Sequence, residues 1–253
     1  MSTPALHVHD LTVAFGRDVV LRDVHLQVRA GDAIALIGPN GAGKTTFIKA
    51  LLGLVPTTSG YVEVLGRPPA AARRHVAYVP QHDHLDQNFP ISVLQVALMG
   101  RYPAIGWLRR PGRADRAAAL QALEQVRLAG RAGDSFGVLS GGQRQRVLIA
   151  RAIAQEAALI LLDEPFNGVD TTTQELLLGV LAELRSQGVA VVMATHDLSV
   201  AHLACGHACV LNRTLVAFGP IEQALTADSL KAAYGHHAVV LAEGTAIISA
   251  HNH

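Results

Sequence analysis

A short apolar run followed by a glycine-rich loop is the feature that most constrains how this chain folds. Ala33–Ile37 is continuously apolar, as expected of a strand buried on both faces of a parallel sheet. The loop after it fits the pattern G-x-x-x-x-G-K-T, and a helix is predicted to begin at its end. This order predicts an α/β fold of the P-loop NTPase type. The loop and the residue after it are Gly38, Pro39, Asn40, Gly41, Ala42, Gly43, Lys44, Thr45 and Thr46.

This phosphate loop, Gly38–Thr45, has the residue types that phosphate binding needs. Gly41 and Gly43 allow backbone N–H groups to approach phosphate oxygens, and the helix N-terminus adds about half a positive charge. Lys44 is expected to reach the β- and γ-phosphates of a nucleotide, and the Thr45 hydroxyl is expected to ligate Mg²⁺. The loop alone does not separate an ATPase from a GTPase or a small-molecule kinase.

A second apolar strand, at 159–162, ends in the two carboxylates Asp163 and Glu164. Acidic residues at the carboxyl end of a parallel strand lie where such sheets bind their ligands. Asp163 suits the Mg²⁺ shell, directly or through a water molecule. Glu164 is predicted to orient, or take a proton from, the water that attacks the γ-phosphate.

Composition and charge exclude several classes of protein. The net charge of +1 gives no broad electrostatic footprint for nucleic acid. No apolar run reaches the roughly 18 residues of a membrane span, and the N-terminus lacks the pattern of a signal peptide, so a cytosolic location is expected. Cys205 and Cys209 make no disulfide framework. His202 and His207 lie nearby in the sequence. The segment that contains these four residues is predicted to be the end of a helix followed by a strand, and this interpretation is favoured over a metal site.

The organisation along the chain predicts one domain, at 5–240, followed by a tail at 241–253. Partly alternating apolar runs at 6–15 and 19–28 predict an antiparallel β-subdomain at the N-terminus. Alternation of strands and helices is interrupted by a helical block at about 86–156 and then resumes. The predicted architecture is therefore a RecA-like core with an inserted α-helical subdomain.

The segment Leu139-Ser140-Gly141-Gly142-Gln143, called the signature segment below, carries a specific resemblance. It resembles the signature motif of the ATPase subunits of ABC transporters. Ser140 is predicted to cap a helix whose exposed N–H groups form an anion site. The resemblance implies that this site binds the γ-phosphate held by the phosphate loop of a second copy. A head-to-tail homodimer would then close around two ATP molecules.

Further matches to that family follow in the family's order. The resemblance implies that Phe15 stacks on adenine, where Tyr is usual, and that Gln81 contacts Mg²⁺ and the attacking water. It implies that the loop ending at Asp170 crosses the dimer interface. His196 matches the histidine that contacts the γ-phosphate and organises hydrolysis together with Glu164.

The same resemblance implies partners and a place in the cell. Integral-membrane permease subunits would dock in a groove formed by residues 81–101, at the cytoplasmic face of the inner membrane. Stretches such as 78–81, 89–93 and 164–170 resemble the manganese, zinc and iron branch of the importers. In that branch an extracytoplasmic metal-binding protein supplies the permease. ATPases for iron-siderophores or cobalamin share much of the pattern, and a soluble assembly-factor ATPase is a further alternative.

Histidine is common in this chain, with 13 residues, and raises the question of metal sensing. The spacing of these residues is sparse and irregular, which favours surface positions or a tail over a sensor. The residues concerned are His82, His84, His236, His237, His251 and His253.

Overall fold

The computed structural model describes residues 4–81, 89–106, 109–235, 238–240 and 246–248. The chain divides into two compact units, the first made of Met1–Ala72 with Ala190–His253 and the second of Arg73–Val189. The six histidines considered for metal sensing lie outside the described residues, namely His82, His84, His236, His237, His251 and His253.

The described residues form strands and helices in an order that alternates except in the middle of the chain. The strands are β1 (Leu6–Phe15), β2 (Asp18–Val28), β3 (Ala33–Ile37), β4 (Ser59–Val64), β5 (Val76–Val79), β6 (Leu159–Asp163), β7 (Ala190–Ala194), β8 (His207–Asn212), β9 (Thr214–Pro220), β10 (Ala238–Val240) and β11 (Ala246–Ile248). The α-helices are α1 (Lys44–Leu51), α2 (Pro69–Ala72), α3 (Val93–Leu98), α4 (Tyr102–Ile105), α5 (Arg113–Gln125), α6 (Gly141–Ala154), α7 (Thr171–Ser186), α8 (Leu198–Ala204), α9 (Ile221–Ala224) and α10 (Ala227–Tyr234).

The first unit opens with the antiparallel subdomain that the alternating runs predicted. β1 pairs with β2 on one side and with β4 on the other, both antiparallel. In β1 the residues Leu6, Val8, Leu11 and Val13 are buried, while their neighbours are exposed or half-buried. This alternation is what a sheet with one covered face requires.

The parallel part of the first unit is built around β3. β3 lies between β7 and β8 and runs parallel to both. All five residues of β3 and of β7 are buried, which explains their continuous apolar runs. β8 turns at Arg213 into β9, and β9 meets β2 at the parallel pair Arg22↔Thr214. The antiparallel subdomain is therefore joined to the parallel strands through β9.

The second unit contains the helical insertion and two parallel strands. β5 and β6 pair in register from Val76↔Leu159 to Val79↔Leu162. Between them in the chain, helices α3, α5 and α6 pack on one another. Ser92 begins α3, because its hydroxyl accepts the Gln95 N–H while the Gln95 side chain accepts the Ser92 N–H.

The predicted fold class, an α/β P-loop fold with an N-terminal β-subdomain and a helical insertion, is confirmed. Within the described part of the chain, none of the helices has the length and apolar character needed to cross a bilayer. The C-terminal pair β10–β11 is antiparallel and links residues on both sides of position 240, where the tail was predicted to begin. The division into a domain at 5–240 and a tail stays a prediction.

Candidate nucleotide site

The phosphate loop lies between β3 and α1, as the sequence predicted, and is tightly packed. A Cβ atom added at Gly38 would collide with the Leu211 carbonyl oxygen and lie 2.9 Å from the Ala42 Cβ. The Ala42 N–H donates to the Pro39 carbonyl at 3.1 Å, and the Ala42 carbonyl accepts the Arg213 N–H at 2.9 Å. The end of β8 and the turn after it therefore fix the shape of this loop.

Two glycines of the loop use backbone conformations that favour glycine. Gly41 has φ +79° and Gly43 has φ +98°. Gly43 is the N-cap of α1 and has no side chain with which to cap the helix. No N-cap side chain therefore competes with an anion at the start of α1, where helix N-termini in such loops bind phosphate.

The Lys44 side chain folds back over the start of the phosphate loop. Its Nζ donates to the Gly38 carbonyl at 2.5 Å and to the Pro39 carbonyl at 3.2 Å. The side chain of Lys44 is half-buried, whereas Asn40 and Thr45 are exposed. An ammonium group held over backbone carbonyls, beside an exposed hydroxyl at a helix N-terminus, fits a chain of phosphates with an associated cation.

His196 and the phosphate loop leave the sheet at the same edge. Strands β3 and β7 are parallel neighbours with Leu36 opposite Ala194, and the Thr195 N–H donates to the Leu36 carbonyl at 3.2 Å. His196 follows Thr195 directly and is exposed. The structure thus brings His196 and the phosphate loop to one end of adjacent strands, where parallel sheets bind ligands.

Phe15 is the last residue of β1, and its ring is 50% exposed. A large ring exposed at a strand end offers a face on which a base can stack. The position is compatible with the adenine contact that the resemblance implies.

In the second unit, Gln81, Asp163 and Glu164 also share one edge. Val79 of β5 lies opposite Leu162 of β6, and both strands run in the same direction. Gln81 therefore emerges beside the two carboxylates. Asp163 is 3% exposed and ends β6, which gives a buried carboxylate whose position is set by the strand.

Glu164 has a backbone conformation that is uncommon for residues other than glycine. Its φ is +51°, in the left-handed region, and its side chain is half-buried. Such a conformation costs of order 1–3 kcal/mol and is found most often at functional sites. The Glu164 carbonyl accepts the Asn167 N–H at 3.2 Å, which fixes the turn after β6.

The negative charge of Asp163 affects the phenol group of the neighbouring Tyr78. Burial, and secondly the negative charge of Asp163, raise the pKa of Tyr78 above its usual value. Among the described residues, no three His, Cys, Asp or Glu side chains lie together as a set that could hold a metal ion.

The signature segment begins α6 through a reciprocal cap. The Ser140 hydroxyl accepts the Gln143 N–H at 3.4 Å, and the Gln143 side-chain oxygen accepts the Ser140 N–H at 3.0 Å. Gly141 is exposed with open space around it. A helix of 14 residues thus starts at an accessible, glycine-containing N-terminus, and its role as an anion site stays a prediction.

Asp170 lies next to the signature segment within the second unit. A Cβ at Gly142 would be 3.5 Å from Asp170 Oδ2. Asp170 caps α7 by accepting the Thr173 N–H at 2.9 Å and the Thr173 hydroxyl at 2.8 Å, and these bonds hold its pKa below the usual value. A pocket of about 330 Å³ beside them is lined by Arg127, Ser140, Gln143, Arg146, Asp170, Thr172, Thr173 and Leu176.

One arginine that contacts the signature segment was missed from the sequence. Arg131 donates to the Gln143 side-chain oxygen at 2.8 Å. It lies in a short 3-10 turn, which carries no periodic pattern, so no signal in the sequence indicated it. Arg101, at the end of the predicted docking groove, bonds within its own unit to Asp115, Ala154 and Glu156, and the groove stays a prediction.

Comparison with known proteins agrees with this geometry. The family profile described as ABC transporter matches residues 21–167. The manganese transport system ATP-binding protein MntB of Listeria monocytogenes is 41% identical over 94% of this chain and all of its own length. The zinc transport system ATP-binding protein TroB of Treponema pallidum is 42% identical over 91% of this chain and 87% of its own.

A solved structure of a proposed metal-chelate type ABC transporter, in an inward-facing conformation, matches with a TM-score of 0.82 and 32% identity, over 97% of this chain and 96% of that one. The family match and the alignments with these relatives include residues of both units of the chain. The chain belongs to the ABC transporter family, as an ATP-binding ATPase subunit.

Proposed function

We propose that the chain is the ATP-hydrolysing subunit of an importer whose cargo is a divalent metal ion, namely manganese, zinc or iron. The observation that carries the ATPase part is the phosphate loop, in which Lys44 lies over the backbone of a glycine-capped helix start. The cargo rests on relatives at 41–42% identity that are named for manganese and zinc transport.

ATP binding is assigned to the first unit. The backbone of Gly38–Thr46 holds the phosphates, Lys44 reaches the β- and γ-phosphates, and Phe15 stacks on adenine. Mg²⁺, if bound, would supply positive charge that offsets the negative charge of the phosphates. Thr45, Gln81 and Asp163 are the residues that would hold it, and their oxygen donors are the kind that this hard cation prefers.

Hydrolysis is assigned to Glu164 and His196. Glu164 directly follows β6 with φ +51°, and the hydrogen bond from the Asn167 N–H to its carbonyl fixes the backbone that carries the carboxylate. There it orients the attacking water and accepts its proton. His196 contacts the γ-phosphate, and Gln81 contacts the water and follows movements of the helical insertion.

A homodimer completes each site. The phosphate loop of one copy presents ATP to the signature segment of the other, where Ser140, Gly141, Gly142 and Gln143 contact the γ-phosphate, and Asp170 lies at the interface. Solved cassettes of this family include dimers. ATP binding therefore closes the dimer, and hydrolysis opens it again.

The permease docks on the helical insertion, at the groove predicted over residues 81–101, and holds the dimer at the cytoplasmic face of the inner membrane. Phe89 is 57% exposed and supplies an apolar contact in that groove. An extracytoplasmic metal-binding protein delivers the cargo to the permease, and nucleic acid has no part in the cycle.

A chelate importer is the second candidate, because the solved structure that matches is of metal-chelate type. The deciding experiment purifies the chain with its permease in detergent, reconstitutes both in vesicles loaded with ATP, and supplies the cargo outside together with the extracytoplasmic metal-binding protein. We expect uptake of Mn²⁺ or Zn²⁺ and no uptake with Glu164→Gln. Uptake of ferric chelates or cobalamin alone would overturn the metal-ion assignment. If no hydrophobic permease copurifies, the soluble assembly-factor alternative gains and the transport proposal fails.

A further inference from the structure

One oxygen atom of the Gln143 side chain, in the second unit, accepts two hydrogen bonds. Gln143 Oε1 accepts the Ser140 N–H at 3.0 Å and also accepts from Arg131 Nη1 at 2.8 Å. The Arg131 Nε in turn donates to Asp134 Oδ2 at 2.7 Å. The start of α6 is therefore tied by its own cap to a guanidinium that a carboxylate orients.

Arg131 determines which end of the Gln143 side-chain amide faces the Ser140 N–H. The two ends of a carboxamide have nearly the same shape, but one accepts hydrogen bonds and the other donates them. A guanidinium only donates, so Arg131 can pair only with the oxygen end. The Ser140 N–H also needs an acceptor. With Arg131 in place, the amide orientation that satisfies both donors is favoured over the flipped one.

The loop that carries Arg131 is also fastened to the first turn of α3. The Leu94 N–H donates to the Ala132 carbonyl and the Val93 N–H to the Asp134 carbonyl, both at 3.0 Å. The Phe136 N–H donates to the Ile91 carbonyl at 2.9 Å. These bonds satisfy backbone groups at the start of α3, so the loop and that end of α3 move together.

We infer that Arg131 is a positioning residue, which holds Gln143 and the cap of α6 in the form that receives the γ-phosphate, and which ties that form to α3. The inference rests on the proposed role of the signature segment. α3 lies in the segment proposed to dock the permease. A displacement of α3 would therefore move Arg131 away from Gln143 and loosen the cap.

The test uses Arg131→Met in a Glu164→Gln parent, which is expected to dimerise with ATP without turning it over. The ATP concentration for half-maximal dimerisation, measured by sedimentation, should rise roughly fivefold to tenfold, the scale of one typical intramolecular hydrogen bond. Affinity of the monomer for a fluorescent ATP analogue should stay within about twofold, because Arg131 lies outside the phosphate loop. Arg116→Met, an exposed arginine of α5, is the matched control.

A double-mutant cycle with Gln143→Leu separates positioning from general stability. If Arg131 acts through Gln143, Arg131→Met should add less than about twofold to the dimerisation midpoint of Gln143→Leu. Full additivity, or an Arg131→Met midpoint equal to that of Arg116→Met, would overturn the inference. Should Arg131→Met not fold, Asp134→Asn keeps the arginine and is expected to shift the midpoint by roughly twofold to fivefold, and no shift overturns the inference equally.

The behaviour of the Glu164→Gln parent separates failure of the proposed dimeric function from failure of the inference about Arg131. A Glu164→Gln chain that stays monomeric with ATP refutes the proposed dimeric function and the inference with it. A parent that dimerises, with an Arg131→Met variant that behaves like Arg116→Met, refutes the inference alone.

Discussion

Replacing Arg101 with methionine tests whether this residue serves the fold of the helical insertion or a docking partner. Its side chain is only 13% exposed, and Nη1 lies 2.8 Å from both the Ala154 carbonyl and Glu156 Oε2. Nε lies 3.2 Å from Asp115 Oδ1. Methionine keeps most of the apolar stem, so the substitution removes chiefly the hydrogen bonds.

The expected loss follows from the individual contacts of Arg101. The bond to the Ala154 carbonyl involves a charged donor and contributes about 1.5 kcal/mol. The pair with Glu156, which is 68% exposed, contributes under about 1 kcal/mol. Without Arg101, Asp115 also loses its cationic partner, which adds to the loss. We therefore expect the unfolding free energy to fall by about 2 kcal/mol.

Thermal unfolding followed by far-UV circular dichroism measures this loss. For a chain of this length, about 2 kcal/mol corresponds to a fall in Tm of about 4–8 °C. Arg116→Met, on the exposed side of α5, should stay within about 0.5 kcal/mol of the wild type. A Tm for Arg101→Met that equals that of Arg116→Met, together with weaker association with the permease, would refute the structural role and restore Arg101 to the docking surface.

Two further predictions concern the phosphate loop and the start of α7. Gly38→Ala should weaken binding of a fluorescent ATP analogue at least about tenfold, since its Cβ would collide with the Leu211 carbonyl, and Gly130→Ala, in open space, should not. Equal affinities would contradict the packing argument. Asp170→Ala should lower Tm above about pH 5, and the gap to wild type should shrink on acidification. Its folded pKa is depressed, so its contribution is lost as pH falls below about 4. A gap that is independent of pH would contradict the assignment.

The elements that the sequence predicted well are those whose signal is local. Continuous apolar runs identified β3 and β6 because both faces of those strands are buried. Ser140 was recognised as a cap because a cap depends on a residue only three positions away. The phosphate loop is likewise a contiguous motif between a strand and a helix.

Long-range pairing had no comparable signal. The sequence did not indicate that β9 would join β2 through Arg22↔Thr214, nor that β8 would lie beside β3. The contacts of Arg101 reach Ala154 over 53 positions. Such contacts depend on how elements pack in three dimensions, and a single polar residue in a turn leaves no periodicity to detect.

The helix N-termini of the phosphate loop and the signature segment differ in a way that explains why the proposed dimer depends on nucleotide. α1 begins at Gly43, which has no side chain, so no N-cap side chain competes with a phosphate at the start of this helix. α6 begins with Ser140 and Gln143 already bonded to each other, although one of these bonds is long at 3.4 Å. The cap uses the N–H groups of Ser140 and Gln143, so fewer donors remain for an anion at α6, and a free phosphate gains little there. A γ-phosphate that a partner's loop already holds has lost most of its freedom and meets the weaker site at a smaller entropic cost. The capped signature segment therefore responds to bound ATP in preference to phosphate in solution.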